Sequence, residues 1–273
     1  MSPAAQSAVT VYLGPTRAEI EAAREVVAEV IQPTPMEKSA YLEQVLGAPV
    51  WLKAENLQRT GSYKIRGAYN RLSRLTDEEK ARGVVAASAG NHAQGVALAA
   101  QRLGIAATIF MPAGVALPKL QATRAYGAET VLEGTTFNET LAAAQAFTER
   151  TGAVFIPPYD HEDVITGQAT LGLEIIEQVP DVETILVPIG GGGLISGVAR
   201  AAKLHADATG RSIRIVGVQA ENAAAYPPSL AAGEQVTIAV EPTIADGIAV
   251  SRPGDLNFPI VRALVDENAA TTE

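Results

Sequence analysis

Two stretches of the chain follow one design. In VVAASAGNHAQGVALAA (84–100) and ILVPIGGGGLISGVARAA (185–202), an apolar run of strand character enters a loop of small residues that becomes the start of a helix. Such a loop leaves backbone N–H groups facing outward with no side chains in the way, at the positive end of the helix dipole. Each is an anion seat. Ligands in parallel α/β sheets sit beyond the carboxyl ends of the strands, where these two loops lie. One molecule with two anionic groups, or two molecules with one each, would fit between them.

The rest of the chain agrees with this plan. TRAE is a capping box that opens a helix at Thr16, and TDEE opens another at Thr76. PVWLKAE reads as a strand after the break at QPTP. From Gly83 onward apolar strand runs alternate with helices: GVVAAS, AATIFMP, ETVLEG, AVFIPP, TILVPIG and IRIVGVQAE are the extended segments. Helices are expected over NHAQGVALAAQRLG, LPKLQATRAYG, 137–151, VITGQATLGLEIIEQV and GGLISGVARAAKLHA. That alternation indicates parallel sheet covered on both faces. With 273 residues, only 5% aromatic, the chain suits two modest domains of tightly packed βα units.

Charge and composition exclude several functions. A net charge of −9 argues against nucleic acid, which needs a basic face. The absence of cysteine removes thiol catalysis, thiolate metal sites and disulfides. No apolar run is long enough to span a bilayer, and MSPAAQSAVTVYLG has neither the charged nor the apolar part of a signal peptide. The expectation is a cytoplasmic protein with no membrane or nucleic-acid partner.

Three motifs carry chemistry. Gly190, Gly191, Gly192 and Gly193 cost chain entropy to order, which a mere turn does not require. They read as a phosphate cradle. A dinucleotide site fails, because no G-x-G-x-x-G spans these residues and Glu221 lies too far on; without G-K-[ST] a Walker loop fails too. A compact monophosphate fits better. SAGNHAQG, Ser88 to Gly95, carries more polar equipment than a helix cap needs. It reads as a carboxylate seat built from Ser88 and the amides near Gly90 to His92, with the Asn91 side chain free for another contact. In TGSYKIRGA, Lys64 stands in the opening turn of a helix beside Arg66, the wrong end for cations. Both neighbours are expected to lower its pKa, and a neutral amine can condense with an aldehyde. DHED, Asp160 to Asp163, resembles metal-ligand material but precedes a helix, where acids cap, so no metal site is expected. His205 reads as a solvated residue near a helix end, and no G-x-S-x-G offers a hydrolase nucleophile.

An imine-forming lysine, a monophosphate cradle and a separate carboxylate seat converge on pyridoxal phosphate carrying an amino acid. The chain resembles the fold-type II pyridoxal-phosphate enzymes, and within them the threonine/serine dehydratases, or ammonia-lyases. PTP, LKAENLQRTGSYKIRGA, SAGNHAQG, PPYDHEDVITGQ, VPIGGGGLISG and EPTIADGIAV occur in that family's order, from about residue 30. The resemblance implies an α/β fold of two doubly wound domains with parallel-rich sheets, like the tryptophan synthase β-subunit. The larger, cofactor-binding domain would span 1–69 plus 161–273, and a smaller, substrate-closing domain 70–160. It implies that Lys64 bonds covalently to the cofactor and that Gly190 to Gly193 with Leu194 hold its phosphate. The Asn91 side chain would contact the ring 3′-hydroxyl. Ser88, Ala89, Gly90, Asn91 and His92 would receive the substrate carboxylate, with Gly247 along the wall.

The implied reaction is β-elimination: L-threonine gives 2-oxobutanoate and ammonia, and L-serine gives pyruvate and ammonia. The implied setting is amino-acid metabolism, isoleucine biosynthesis included, in a homodimer or homotetramer. Serine racemases share the pattern but place a serine directly before the Gly-Asn of the carboxylate loop. Here that residue is Ala89, whose methyl moves no proton. The racemase branch's cation ligands would fall near Gln219 and Ala225, neither a carboxylate. The resemblance also implies that the family's catalytic domain continues beyond DENAATTE, so the C-terminal part is expected to be truncated. The alternative readings are a serine racemase or other hydroxy-amino-acid eliminase, and a shortened, non-catalytic form that binds cofactor or amino acid.

Overall fold

The structure, a computed structural model, describes residues 12–272; most of the segment examined for a signal peptide lies outside them. Helix α1 (Arg17–Val27) opens with the capping box at Thr16 and Glu19. A short antiparallel pair follows, β1 (Met36–Lys38) with β2 (Trp51–Lys53), enclosing α2 (Ala40–Leu46). Next come α3 (Lys64–Ser73) and α4 (Asp77–Arg82), the latter opened by a second capping box at Thr76 and Glu79.

The expected alternation then runs through β3 (Val84–Ala87), α5 (Asn91–Leu103), β4 (Ala107–Met111), α6 (Leu117–Ala125), β5 (Glu129–Leu132), α7 (Phe137–Thr151) and β6 (Val154–Phe155). These strands form one parallel sheet in the order β5-β4-β3-β6. All four residues of β3 are buried, as its central place requires. A second parallel sheet, β7-β8-β9, takes β7 (Thr184–Pro188), β8 (Arg214–Ala220) and β9 (Glu267–Thr271). Its helices are α8 (Glu162–Gln178), α9 (Gly193–Thr209), α10 (Tyr226–Ala232) and α11 (Asn257–Leu264). The short elements β1, α2, α10, α11 and β9 have no periodicity strong enough to read from sequence.

Helices α3, α8 and α9 meet at glycines, and these crossings hold the two sheets' loops in register. A Cβ at Gly167 of α8 would lie 2.6 Å from the Arg66 carbonyl oxygen, and one at Gly197 of α9 2.5 Å from the Ala169 nitrogen. Helix α5 approaches α3 at Gly95, where a Cβ would stand 3.2 Å from the Lys64 carbonyl carbon. Separate apolar clusters back the two sheets: Val84, Ala86, Val96 and Ile109 lie in one, Ile185, Val187, Ile195 and Ile215 in the other. Among the described residues no helix is long and apolar enough to cross a membrane.

Candidate active site

Lys64 begins α3 just after a turn in the left-handed region, with Thr60 at φ 66° and Gly61 at φ 71°. For a threonine that conformation costs about 1–3 kcal/mol, strain of a kind that clusters at functional sites. The turn brings the Lys64 ammonium to the carbonyl of Pro158, to which it donates at 2.8 Å. The amine and the tetraglycine loop line one cavity, together with Tyr63, Tyr159, Gly247 and Val250.

Loss of surrounding water lowers the Lys64 pKa to about 8. The direction is the one expected from sequence; the cause is different. Arg66 is fully buried and turned away into a carboxylate cage. Its guanidinium donates to Glu55 at 2.9 Å through both Nε and Nη2, and to Glu174 at 2.6 Å through Nη1. Paired twice, it has little charge left to impose on the amine; the two carboxylates raise its own pKa against burial.

The tetraglycine loop joins β7 to α9, and its backbone amides stand where the helix has no partners for them. Where side chains would project, it is hemmed in. A Cβ at Gly190 would press on Ile248 and Val250 at 3.1 Å, one at Gly191 would overlap the Tyr159 ring, and one at Gly193 would lie 2.9 Å from the Tyr159 Cβ. Gly192, at φ 106°, adopts a conformation that only glycine enters without strain.

The second loop is more open. Ser88 Oγ accepts from the Gly90 amide at 3.2 Å, and Ser88, Ala89 and Gly90 are half-buried. Asn91, the first residue of α5, is exposed, with its Nδ2 4.0 Å from where a Cβ of Gly247 would stand. His92 departs from a simple carboxylate contact: its ring is buried, with Nε2 2.8 Å from the Ile156 carbonyl oxygen. Burial and the Lys64 charge drop its pKa to about 3, so the ring is neutral and Nε2 donates. Only the His92 backbone amide is left to meet an anion.

DHED does cap, by division of labour. His161 is the N-cap of α8, its Nδ1 accepting from the Asp163 amide at 3.1 Å, while Glu162 and Asp163 complement the dipole in the first turn. Asp160 reaches elsewhere, accepting from the amides of Asp255 and Leu256 at 2.9 Å each. No metal-ligating group of three His, Cys, Asp or Glu occurs among the described residues. Glu221 sits exposed in a short turn after β8. Sequence reasoning missed the site's three tyrosines, Tyr63, Tyr159 and Tyr226. Tyr159 was within reach, because it stands inside PPYDHEDVITGQ.

A parallel α/β protein with a desolvated lysine facing a glycine-walled anion cradle is equipped to hold a phosphorylated aldehyde. A family model described as pyridoxal-phosphate dependent enzyme matches residues 27–273, and the chain belongs to that family. It is 50% identical over 258 residues to the L-threonine ammonia-lyase of Thermotoga maritima, covering 94% of this chain and 63% of that protein. It is 49% identical over 255 residues to the L-threonine dehydratase catabolic TdcB of Escherichia coli K12, covering 93% and 76%. Among solved structures, maize serine racemase superposes with a TM-score of 0.90 at 38% identity, covering 96% of this chain and 78% of that one. The processed threonine deaminase isoform 2 of Solanum lycopersicum gives 0.87 at 39% identity, covering 95% and 76%. The chain therefore spans 63% to 78% of these relatives' length, less than two thirds of the Thermotoga maritima protein.

The residues present fit pyridoxal phosphate. Lys64 offers an amine with a lowered pKa for the aldehyde, Gly190 to Gly193 line the cavity with backbone and no side chain, as a phosphate cradle requires, and Tyr63 and Val250 offer apolar wall for a ring.

Proposed function

We propose that this chain is a pyridoxal-phosphate-dependent dehydratase, an ammonia-lyase that removes the β-hydroxyl and amine of L-threonine and, with it, L-serine. The products are 2-oxobutanoate or pyruvate and ammonia. The observation that carries the reading is the half-buried Lys64 amine, its pKa lowered to about 8, lining one cavity with the tetraglycine loop. The names of the relatives at about half identity support threonine as substrate, and the word catabolic in the Escherichia coli name favours its breakdown over isoleucine synthesis. A cytoplasmic setting and a homodimeric or homotetrameric state belong to the proposal, as does the division into domains 1–69 plus 161–273 and 70–160.

Bound pyridoxal phosphate supplies the electron sink that makes the substrate's α-proton acidic. The chain's residues do the rest. The amides of Gly190 to Leu194 and the α9 dipole would hold the phosphate, and the Asn91 side chain would meet the ring 3′-hydroxyl. Ser88 and the first amides of α5, at Gly90, Asn91 and His92, hold the substrate carboxylate, with Ala89 and Gly247 shaping that end of the cleft. The Lys64 amine would accept the α-proton. Ala89 supplies no proton on the opposite face, which favours elimination over racemisation.

The test is direct. Protein supplied with pyridoxal phosphate should show a visible absorption band that borohydride abolishes, leaving the label on Lys64, and L-threonine should yield 2-oxo acid. Lys64→Ala should lose the band and at least about a thousandfold in rate, the scale of removing both nucleophile and base. A colourless protein sinks the reading; with L-serine supplied, D-serine in place of pyruvate favours the racemase alternative. Cofactor uptake without turnover favours the binding form.

A further inference from the structure

Tyr226 is the first residue of α10, far from the site in sequence and fully buried. Its hydroxyl donates to the Gly191 carbonyl at 3.1 Å, and a Cβ at Gly192 would overlap that same oxygen. The tyrosine's backbone is held by Gln219, itself 1% exposed at the end of β8. Gln219 Oε1 accepts from the Tyr226 amide at 3.0 Å, and Gln219 Nε2 donates to the carbonyls of Ala223 at 3.3 Å and Ile189 at 3.4 Å. One side-chain amide thus ties the last residue before the tetraglycine loop to the tyrosine that grips its second glycine.

We propose that Tyr226, seated by Gln219, is a positioning residue for the phosphate loop: it fixes the Gly191 carbonyl away from the cavity so that the following amides face the anion. The inference rests on the cofactor reading above. A peptide unit is planar, so holding the Gly191 oxygen also sets the direction of the Gly192 N–H. Four successive glycines otherwise sample many orientations, and an unpinned loop would turn carbonyls as readily as amides toward a phosphate. The Gly254 amide donates to the same carbonyl at 2.9 Å, so loss of the tyrosine hydroxyl loosens the loop without releasing it.

The experiment compares Tyr226→Phe, Gln219→Met and the unaltered protein. It reads pyridoxal phosphate affinity from the absorption band, the phosphorus NMR resonance of the bound phosphate, and KM for L-threonine at saturating cofactor. Ile20→Val, in a buried cluster on α1, serves as a control for lost stability alone. Tyr226→Phe is expected to weaken cofactor binding roughly three- to tenfold, the scale of one buried hydrogen bond, to shift the phosphorus resonance, and to leave the threonine KM unchanged. Gln219→Met should act in the same direction. Unchanged affinity and resonance in both variants overturn the proposal, as does an equal loss of affinity in Ile20→Val. If the unaltered protein takes up no pyridoxal phosphate, the cofactor reading falls and this inference with it; normal uptake with indifferent variants defeats the inference alone.

Discussion

The loops at Ser88–Asn91 and Gly190–Gly193 share a backbone plan, each leading from a parallel strand into a helix, yet they are held differently. Gly191 alone has its carbonyl bonded by the Tyr226 hydroxyl and the Gly254 amide and its Cα face covered by the Tyr159 ring. At Gly90 a Cβ would meet nothing within 4 Å, and Ser88 Oγ bonds only within its own loop. The tightly walled loop suits a phosphate that stays through every turnover. The open one suits a carboxylate that arrives and leaves. On the proposed roles, strain and burial at the ligand that stays, with room at the one that comes and goes, would avoid rebuilding packed structure in each cycle.

That contrast can be broken first at Gly192. Gly192→Ala forces a side chain into a φ of 106° and against the Tyr226 hydroxyl, so cofactor affinity should fall roughly ten- to hundredfold. Titration of pyridoxal phosphate by absorbance checks it, and near-normal binding would mean the tetraglycine loop is as adaptable as its counterpart. Ser88→Ala should do the reverse. It should leave cofactor affinity unchanged and raise the threonine KM about three- to tenfold, the scale of one hydrogen bond to a charged group. A weakened cofactor with unaltered KM would exchange the roles of the two loops.

The smallest effect is in pH. Between the two loops, the rate at which cofactor-free protein captures pyridoxal phosphate should rise with pH and level off above about 8, where the Lys64 amine is neutral, rather than near the ordinary 10.5. The sign for stability follows from the same shift. Between about 8 and 10.5 the folded protein binds fewer protons at Lys64 than the unfolded chain, so this group makes stability rise with pH across that window. A capture profile still climbing at pH 10 would place the amine in water.

Much of this was legible beforehand, for identifiable reasons. The capping boxes at Thr16 and Thr76, the strand at 84–87 and the helix over 137–151 follow from contacts a few residues apart, which propensity and periodicity report. The tetraglycine loop stood out because four adjacent glycines cost entropy that a mere turn does not require. The lowered pKa expected of Lys64 is present, through burial rather than through Arg66. Arg66 is a neighbour in sequence, but Glu55 and Glu174 neutralise it, and no local pattern announces partners 11 and 108 residues away. The same holds for His92, whose ring is claimed by Ile156, 64 residues on.

By itself, then, the order of residues determined the alternation of strand and helix and put glycine and lysine where backbone amides and an amine would be needed, since those are short-range matters of sterics and hydrogen bonding. Only the tertiary structure decided which charges cancel, how far the amine is dried, and that Tyr226, Tyr159 and Gln219 close around one glycine loop. Desolvation and packing depend on atoms brought together from distant parts of the chain, and that information exists only once the chain has folded.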